Sequence, residues 1–223
     1  MIHSRLPLPA LIAVSALALL LAASPADAQG SETGLERSVI ELWNTCTVPR
    51  PPELKPVTLD PKTTAYLVLD IEELTCNESS RPRCLKAVPG IAAFLAKARA
   101  ARMPVIYSLT RRGTPETILP PVKPGTDEPV VQASVDKFVG TDLEKILRDK
   151  GVRTVIVTGT AANGAVLHTA VGAAIRGFDV VVPVDGMPGT TLYEEQYTAY
   201  HIVAAPGVRD RSRLTRFGLM TIK

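Results

Sequence analysis

One pattern constrains this chain more than any other. Apolar runs too continuous for one-sided strands alternate with segments of helical periodicity. Ala65-Tyr66-Leu67-Val68-Leu69 ends at Asp70, Val105-Ile106-Tyr107-Ser108-Leu109 follows Pro104, Val152 to Thr158 leads into Gly159, and Phe178 to Val184 completes the series. Runs of this length read as strands buried on both faces. Between them, Ile91, Phe94, Leu95 and Ala98 share one face of a helix predicted from Pro89, a favourable first-turn residue. Thr141 and Glu144 have capping-box spacing for a helix through Leu143, Ile146 and Leu147 to Gly151. Asn163 is the predicted cap of a helix ending at Arg176, with Gly177 past its end. Thr191 and Glu194 open another helix, to about Ala204, and Leu214 to Ile222 reads as a closing strand. Strand–helix alternation of this kind predicts an α/β fold, a three-layer α-β-α architecture around a central, mainly parallel sheet. Ligands in such sheets sit beyond the carboxyl ends of the strands. The residues after Leu69, Leu109 and Val157 therefore matter most.

The first thirty residues differ in character from the rest. Arg5 precedes an apolar run from Leu6 to Ala23, followed by Ser24-Pro25-Ala26-Asp27-Ala28. The run, at about 18 residues, is long enough to span a bilayer, but the Ala-x-Ala ending reads as a secretory signal cleaved after Ala28. Residues 1–28 are thus expected to be a signal peptide, 29–62 an extended N-terminal arm and 63–223 the folded domain. Within the arm, Glu32 to Asn44 has helical spacing, whereas Pro49, Pro51, Pro52, Pro56 and Pro61 oppose regular structure. The expected location is secreted or periplasmic, with no stable membrane insertion once the signal is removed.

Composition narrows the partners. Net charge is +3, aromatic residues make up 4% and no block of Lys or Arg stands out, so the chain has no electrostatic footprint for nucleic acid. A small molecule is the expected partner. Three cysteines, Cys46, Cys76 and Cys84, allow three single pairings. Cys76 and Cys84 flank the shortest loop and are the expected disulfide in an exported chain. His3, His168 and His201 lack metal-ligand spacing, and neither metal nor cofactor is expected.

Three segments carry candidate chemistry. Asp70 ends the first apolar strand, where partial desolvation raises a carboxyl pKa unless a cation lies close by. Lys137, between Val135 and Phe138, is either such a cation or a surface lysine. Thr158-Gly159-Thr160-Ala161-Ala162-Asn163-Gly164-Ala165 links strand to helix through small residues, so a ligand can approach backbone N–H groups closely. Asn163 and Gly164 are candidate substrate contacts. Arg81 and Arg83 either solvate their loop or face an anionic ligand. Tyr193, Tyr197, Tyr200 and His201 recur near helical spacing and read as an interface or core stripe.

Taken in order, these segments resemble the isochorismatase-like (cysteine hydrolase) superfamily over roughly Thr64 to Pro206. The matching elements are Leu67-Val68-Leu69-Asp70, the midway Asp136-Lys137-Phe138, Thr158-Gly159 followed five residues later by position 165, and Thr169-Ala170. Arg176-Gly177-Phe178-Asp179-Val180 and Pro183-Val184-Asp185-Gly186 extend the likeness. The resemblance implies a Rossmann-like fold, Asp70 as acid/base with Lys137 as partner, and an oxyanion hole from the N–H groups of Ala161 and Ala165. It also implies a cis peptide at Ala161 and a homo-oligomer.

The chain departs from that family in two places. The nucleophile position is Ala165, and a methyl group cannot attack a carbonyl. Where nicotinamidases carry metal-binding Asp and His, Glu72, Glu73, Cys76 and Asn77 stand here. The expected function is a hydrolase for a small molecule carrying a vinyl ether, amide or ester, with Asp70 as general acid/base and no covalent cysteine intermediate. The alternatives are a non-catalytic binder of small ligands and an amidase inactivated by a Cys-to-Ala change.

Overall fold

The computed structural model describes residues 37–223. The signal peptide expected over residues 1–28 and the first part of the helix expected from Glu32 lie outside the described residues. The segment 37–49 belongs to a unit of its own, with turns and one 3-10 turn, Trp43–Thr45. The helix expected to reach Asn44 does not form there. A segment this short needs a buried face to hold a helix, and none of its described residues is buried.

The second unit starts at Arg50. Its proline-rich start is not wholly irregular: β1 (Val57–Leu59) fits between Pro56 and Pro61 and pairs in parallel with β8 (Met220–Ile222). Six parallel strands form the main sheet: β2 (Thr64–Leu69), β3 (Val105–Leu109), β4 (Val130–Gln132), β5 (Thr154–Gly159), β6 (Asp179–Pro183) and β7 (Ser212–Thr215). Their order across the sheet is β4-β3-β2-β5-β6-β7. The chain winds outward from β2 to β4, then returns to the other side of β2 as β5. The crevice of such a sheet opens where the winding reverses, between the ends of β2 and β5.

Pleating divides the apolar strand residues between two cores. Tyr66, Val68, Val105, Tyr107, Ile156 and Val181 pack under α1 (Pro82–Ala100). Ala65, Leu67, Leu69, Ile106, Val155 and Val157 pack under α2 (Leu143–Asp149), α3 (Leu167–Ile175) and α4 (Leu192–Ala204). This is the expected three-layer arrangement, and it explains the unbroken apolar runs: each strand is covered on both faces.

Several helix boundaries differ from expectation. α1 begins at Pro82, and Pro89 lies inside it. The expected start at Pro89 is therefore wrong: the first-turn proline is Pro82, seven residues earlier. The box expected from Thr141 and Glu144 does not close. Thr141 Oγ1 accepts from Leu143 N–H at 3.2 Å, while Glu144 turns to Arg176 at 3.2 Å and Arg148 at 3.4 Å. Charged partners reached across the surface outcompete the local backbone donor. The second box, Thr191 with Glu194, forms as expected at the start of α4. The closing strand is broken into β7 and β8 by a 3-10 turn, Phe217–Leu219.

Cys76 and Cys84 are bonded, tying the loop after β2 to the first turns of α1. Both are buried, and Cys46 is free and exposed. Replacing Cys76 and Cys84 together by alanine is expected to lower unfolding stability by about 2–3 kcal/mol, the loop entropy of so short a closure. Urea denaturation of the two proteins measures it.

Candidate active site

The site grows from the end of β2. Asp70 N–H still donates to Ser108 O, so the residue is anchored to β3, and its φ of 53° then turns the chain away. Aspartate tolerates this left-handed conformation better than most residues. Thr75 Oγ1 donates to Asp70 O and so holds the turn. The residue as a whole is 4% exposed. Its Oδ1 accepts from Ser108 Oγ at 2.7 Å and its Oδ2 from Lys137 Nζ at 2.8 Å.

Lys137 is fully buried, at 0% exposure. Its ammonium has three donors, and three oxygens receive them: Asp70 Oδ2, Leu109 O at 3.3 Å and Ala133 O at 3.2 Å. Thr169 Oγ1 of α3 accepts from Lys137 N–H at 3.2 Å. An acid at one strand end and a lysine far along the chain thus meet as a satisfied buried pair. Burial pushes the Asp70 carboxyl up from its ordinary pKa; Lys137 and then Ser108 pull it down, and neighbouring Glu72 pushes it up again. The net direction is upward.

The third segment leaves β5 beside this pair. Gly159 has φ 121°, and a side chain there would put its Cβ 2.0 Å from Leu69 O. Only glycine allows β5 to end this close to β2. Thr160 N–H donates to Leu69 O at 3.0 Å, and the Thr160–Ala161 peptide is cis, as the family resemblance implied. Ala162–Val166 then forms a single wide π turn ahead of α3. Asn163 is inside that turn and exposed, and caps nothing; Ala161 occupies the cap position. Among the described residues, Ala161 N–H has no acceptor. Ala165 is buried, with its methyl in the core.

A cavity of about 290 Å³ opens over Asp70, lined by Leu74, Thr75, Thr110, Arg111, Arg112 and the segment 133–135. Ala161, Asn163, Gly164 and Ala165 do not line it; of these, Gly164 is beside its wall, where an added Cβ would lie 3.9 Å from Val135 Cγ1. Ser108, Thr75, Arg111 and Arg112 were not singled out from the sequence. The strand-end rule pointed to the stretch after Leu109, but no motif marks those residues. Arg81 and Arg83 have other work. Arg81 donates to Thr75 O at 2.8 Å, and Arg83 pairs with Glu195 at 2.5 Å. Asn77, in the loop where the family's metal-binding residues would stand, accepts from Ser79 and Ser80 N–H, and Cys76 is in the disulfide. Among the described residues no three His, Cys, Asp or Glu side chains converge on a metal position. Tyr193, Tyr197 and Tyr200 are on the exposed side of α4, whose buried face is Thr198, Ala199 and Ile202, so they form no core stripe.

Comparison with known proteins bears on the family and the fold. The family model for the isochorismatase domain matches residues 64–209. Streptothricin hydrolase of Streptomyces noursei is 37% identical over 91 residues, which is 40% of this chain and 32% of that protein. The chain therefore matches only about a third of that hydrolase's length. The uncharacterized isochorismatase family protein YecD of Escherichia coli O157:H7 is 29% identical over 170 residues, 65% of this chain and 89% of that protein. Among solved structures, an isochorismatase family protein from Desulfovibrio vulgaris superposes with a TM-score of 0.64 at 24% identity, covering 70% of this chain and 95% of that one.

Proposed function

Because the chain belongs to the isochorismatase family of small-molecule hydrolases, we propose that it hydrolyses a small amide or ester by direct attack of water, with Asp70 as the proton-transferring group and no covalent intermediate. The observation that carries this reading is the buried Asp70–Lys137 pair at the floor of a cavity. Burial raises the proton affinity of the carboxylate, which makes it a better base than a solvated one. Water attacks the acyl carbon and gives a proton to Asp70; Asp70 passes it to the leaving nitrogen or oxygen as the acyl bond breaks. The products are a carboxylic acid and an amine or alcohol, and the carboxylate is regenerated. Lys137 keeps Asp70 ionised in its buried position. The N–H groups of Ala161 and Ala165 stabilise the oxyanion, and the absence of a partner for Ala161 N–H supports an acyl substrate over a vinyl ether. Asn163 and Gly164 contact the substrate.

The test is the pH profile of kcat/KM over a panel of amides, esters and vinyl ethers. The active form of a base is the carboxylate, so activity rises with pH through a midpoint above the usual carboxylate range, because Asp70 is shifted upward. A limb that falls with pH in the same region would assign Asp70 as an acid and favour vinyl ether protonation. No turnover of any substrate, with saturable ligand binding retained, would make the protein a binder. The proposed location is secreted or periplasmic, a reading that the Cys76–Cys84 bond supports. The exposed tyrosines of α4 are its proposed contact with a second copy.

A further inference from the structure

Arg111 and Arg112 follow β3 directly and line the cavity that holds Asp70. Both are exposed, and among the described residues neither guanidinium has a hydrogen bond or ion pair. Arg81, Arg83, Arg99 and Arg176 are each held by an oxygen acceptor, and other arginines unpaired among the described residues, such as Arg50 and Arg216, do not line this cavity. The cavity's one acidic lining residue is Asp70, and its charge is offset by Lys137 at 2.8 Å. The space above Asp70 is therefore cationic.

The loop carrying the two arginines is pinned from below. Glu72 is fully buried, and its carboxylate accepts from Thr110 Oγ1 at 2.6 Å, Thr110 N–H at 3.3 Å and Thr117 Oγ1 at 3.5 Å. A Cβ on Gly113 would stand 1.7 Å from Glu72 Oε2, so glycine is needed for the loop to close over that carboxylate. Gln132 Nε2 donates to Thr110 O at 2.9 Å and to Gly113 O at 2.7 Å. The backbone on both sides of Arg111 and Arg112 is thus held, while their side chains are left unpaired over the cavity.

We infer that Arg111 and Arg112 form an anion subsite, and that the substrate is a small molecule carrying a carboxylate at the end remote from the bond that is cut. The planar guanidinium fork matches a carboxylate with two parallel hydrogen bonds. The placement of the cut bond rests on the hydrolase reading; the binding of the anion does not.

The experiment titrates the full protein with benzoate and with its neutral isostere benzamide, by calorimetry or ligand-observed NMR. Benzoate is expected to saturate and to weaken as salt rises. In the Arg111→Gln, Arg112→Gln double variant its affinity falls about tenfold, the loss of one or two charge-assisted contacts, while benzamide changes by less than about twofold. The Arg111→Lys, Arg112→Lys variant keeps the charge and loses the fork, so it falls between the two. Benzoate that does not saturate, or that binds the double variant as well as the parent, overturns the subsite. Asp70-dependent turnover of neutral substrates alongside such a result leaves the hydrolase reading standing. Arginine-dependent benzoate binding in a protein that turns nothing over keeps the subsite and removes the hydrolase.

Discussion

Replacing Asp70 by asparagine is expected to lower kcat/KM by about a hundredfold to ten-thousandfold, the range a positioned acid–base group contributes. Asparagine has nearly the same shape and can still accept from Ser108 Oγ through its amide oxygen, but it leaves the buried Lys137 ammonium without its counter-charge, so urea unfolding of the variant accompanies the assay. It cannot take a proton from water. The loss therefore falls on the chemical step, and kcat should drop more than KM changes. Iodoacetamide should leave wild-type turnover unaffected, since position 165 is alanine, Cys76 and Cys84 are bonded, and the lining of the cavity over Asp70 holds no thiol. Ser108→Ala supplies a graded companion. It keeps the carboxylate but removes a donor that pulls its pKa down, so the midpoint of the pH profile moves further up. Turnover in Asp70→Asn that matches the parent would end the proposed mechanism, and inhibition by iodoacetamide would point to a thiol that the geometry does not supply.

The largest stability effect is expected from Lys137→Met. The side chains of Lys137 and Asp70 are 0% and 6% exposed, so solvent screens their pairing little. Removing one member of a buried ion pair costs about 3–5 kcal/mol, because the other charge is left uncompensated. The pH dependence has a definite sign. Without the ammonium, only the Ser108 hydrogen bond opposes desolvation of Asp70, and its folded-state pKa rises further above the unfolded value. The mutant's deficit is therefore greatest at high pH, where the carboxylate must be buried charged. It shrinks as pH falls through the raised pKa and Asp70 takes up a proton. Part of the deficit stays at every pH, since Ala133 O loses its donor and Leu109 O keeps only Ala133 N–H. Urea unfolding of parent and variant at pH 5 and pH 8 measures both parts. Equal deficits at the two pH values would mean that Lys137 acts through packing and its two carbonyl partners alone.

The fold was largely legible from residue order. Strands buried on both faces leave runs such as Ala65 to Leu69 and Val155 to Val157, because each side chain meets a helix on one side or the other. Boundaries were less legible where local donors compete. Thr141 and Glu144 have the spacing of a cap, yet Glu144 reaches Arg176 from a different helix. Asn163 has the chemistry of a cap, yet the wide turn over Ala162–Val166 moves it past the first position. The first fails because spacing describes a single segment, whereas the winning partner came from another; the second, because the wide turn starts the helical winding one residue before Asn163.

The candidate site divides along the same line. A carboxylate at the end of an apolar strand, a turn of small residues after another, and two cysteines flanking a short loop are local facts, and the linear order of residues determined them. That Lys137 inserts beneath Asp70, that Ser108 reaches its other oxygen, and that Glu72 draws the 110–117 loop over the cavity were decided by the tertiary structure. Strand register and loop packing set those meetings. Each joins groups separated by dozens of residues, and no periodicity within a segment carries information about the electrostatic company a side chain keeps once the sheet has closed around it.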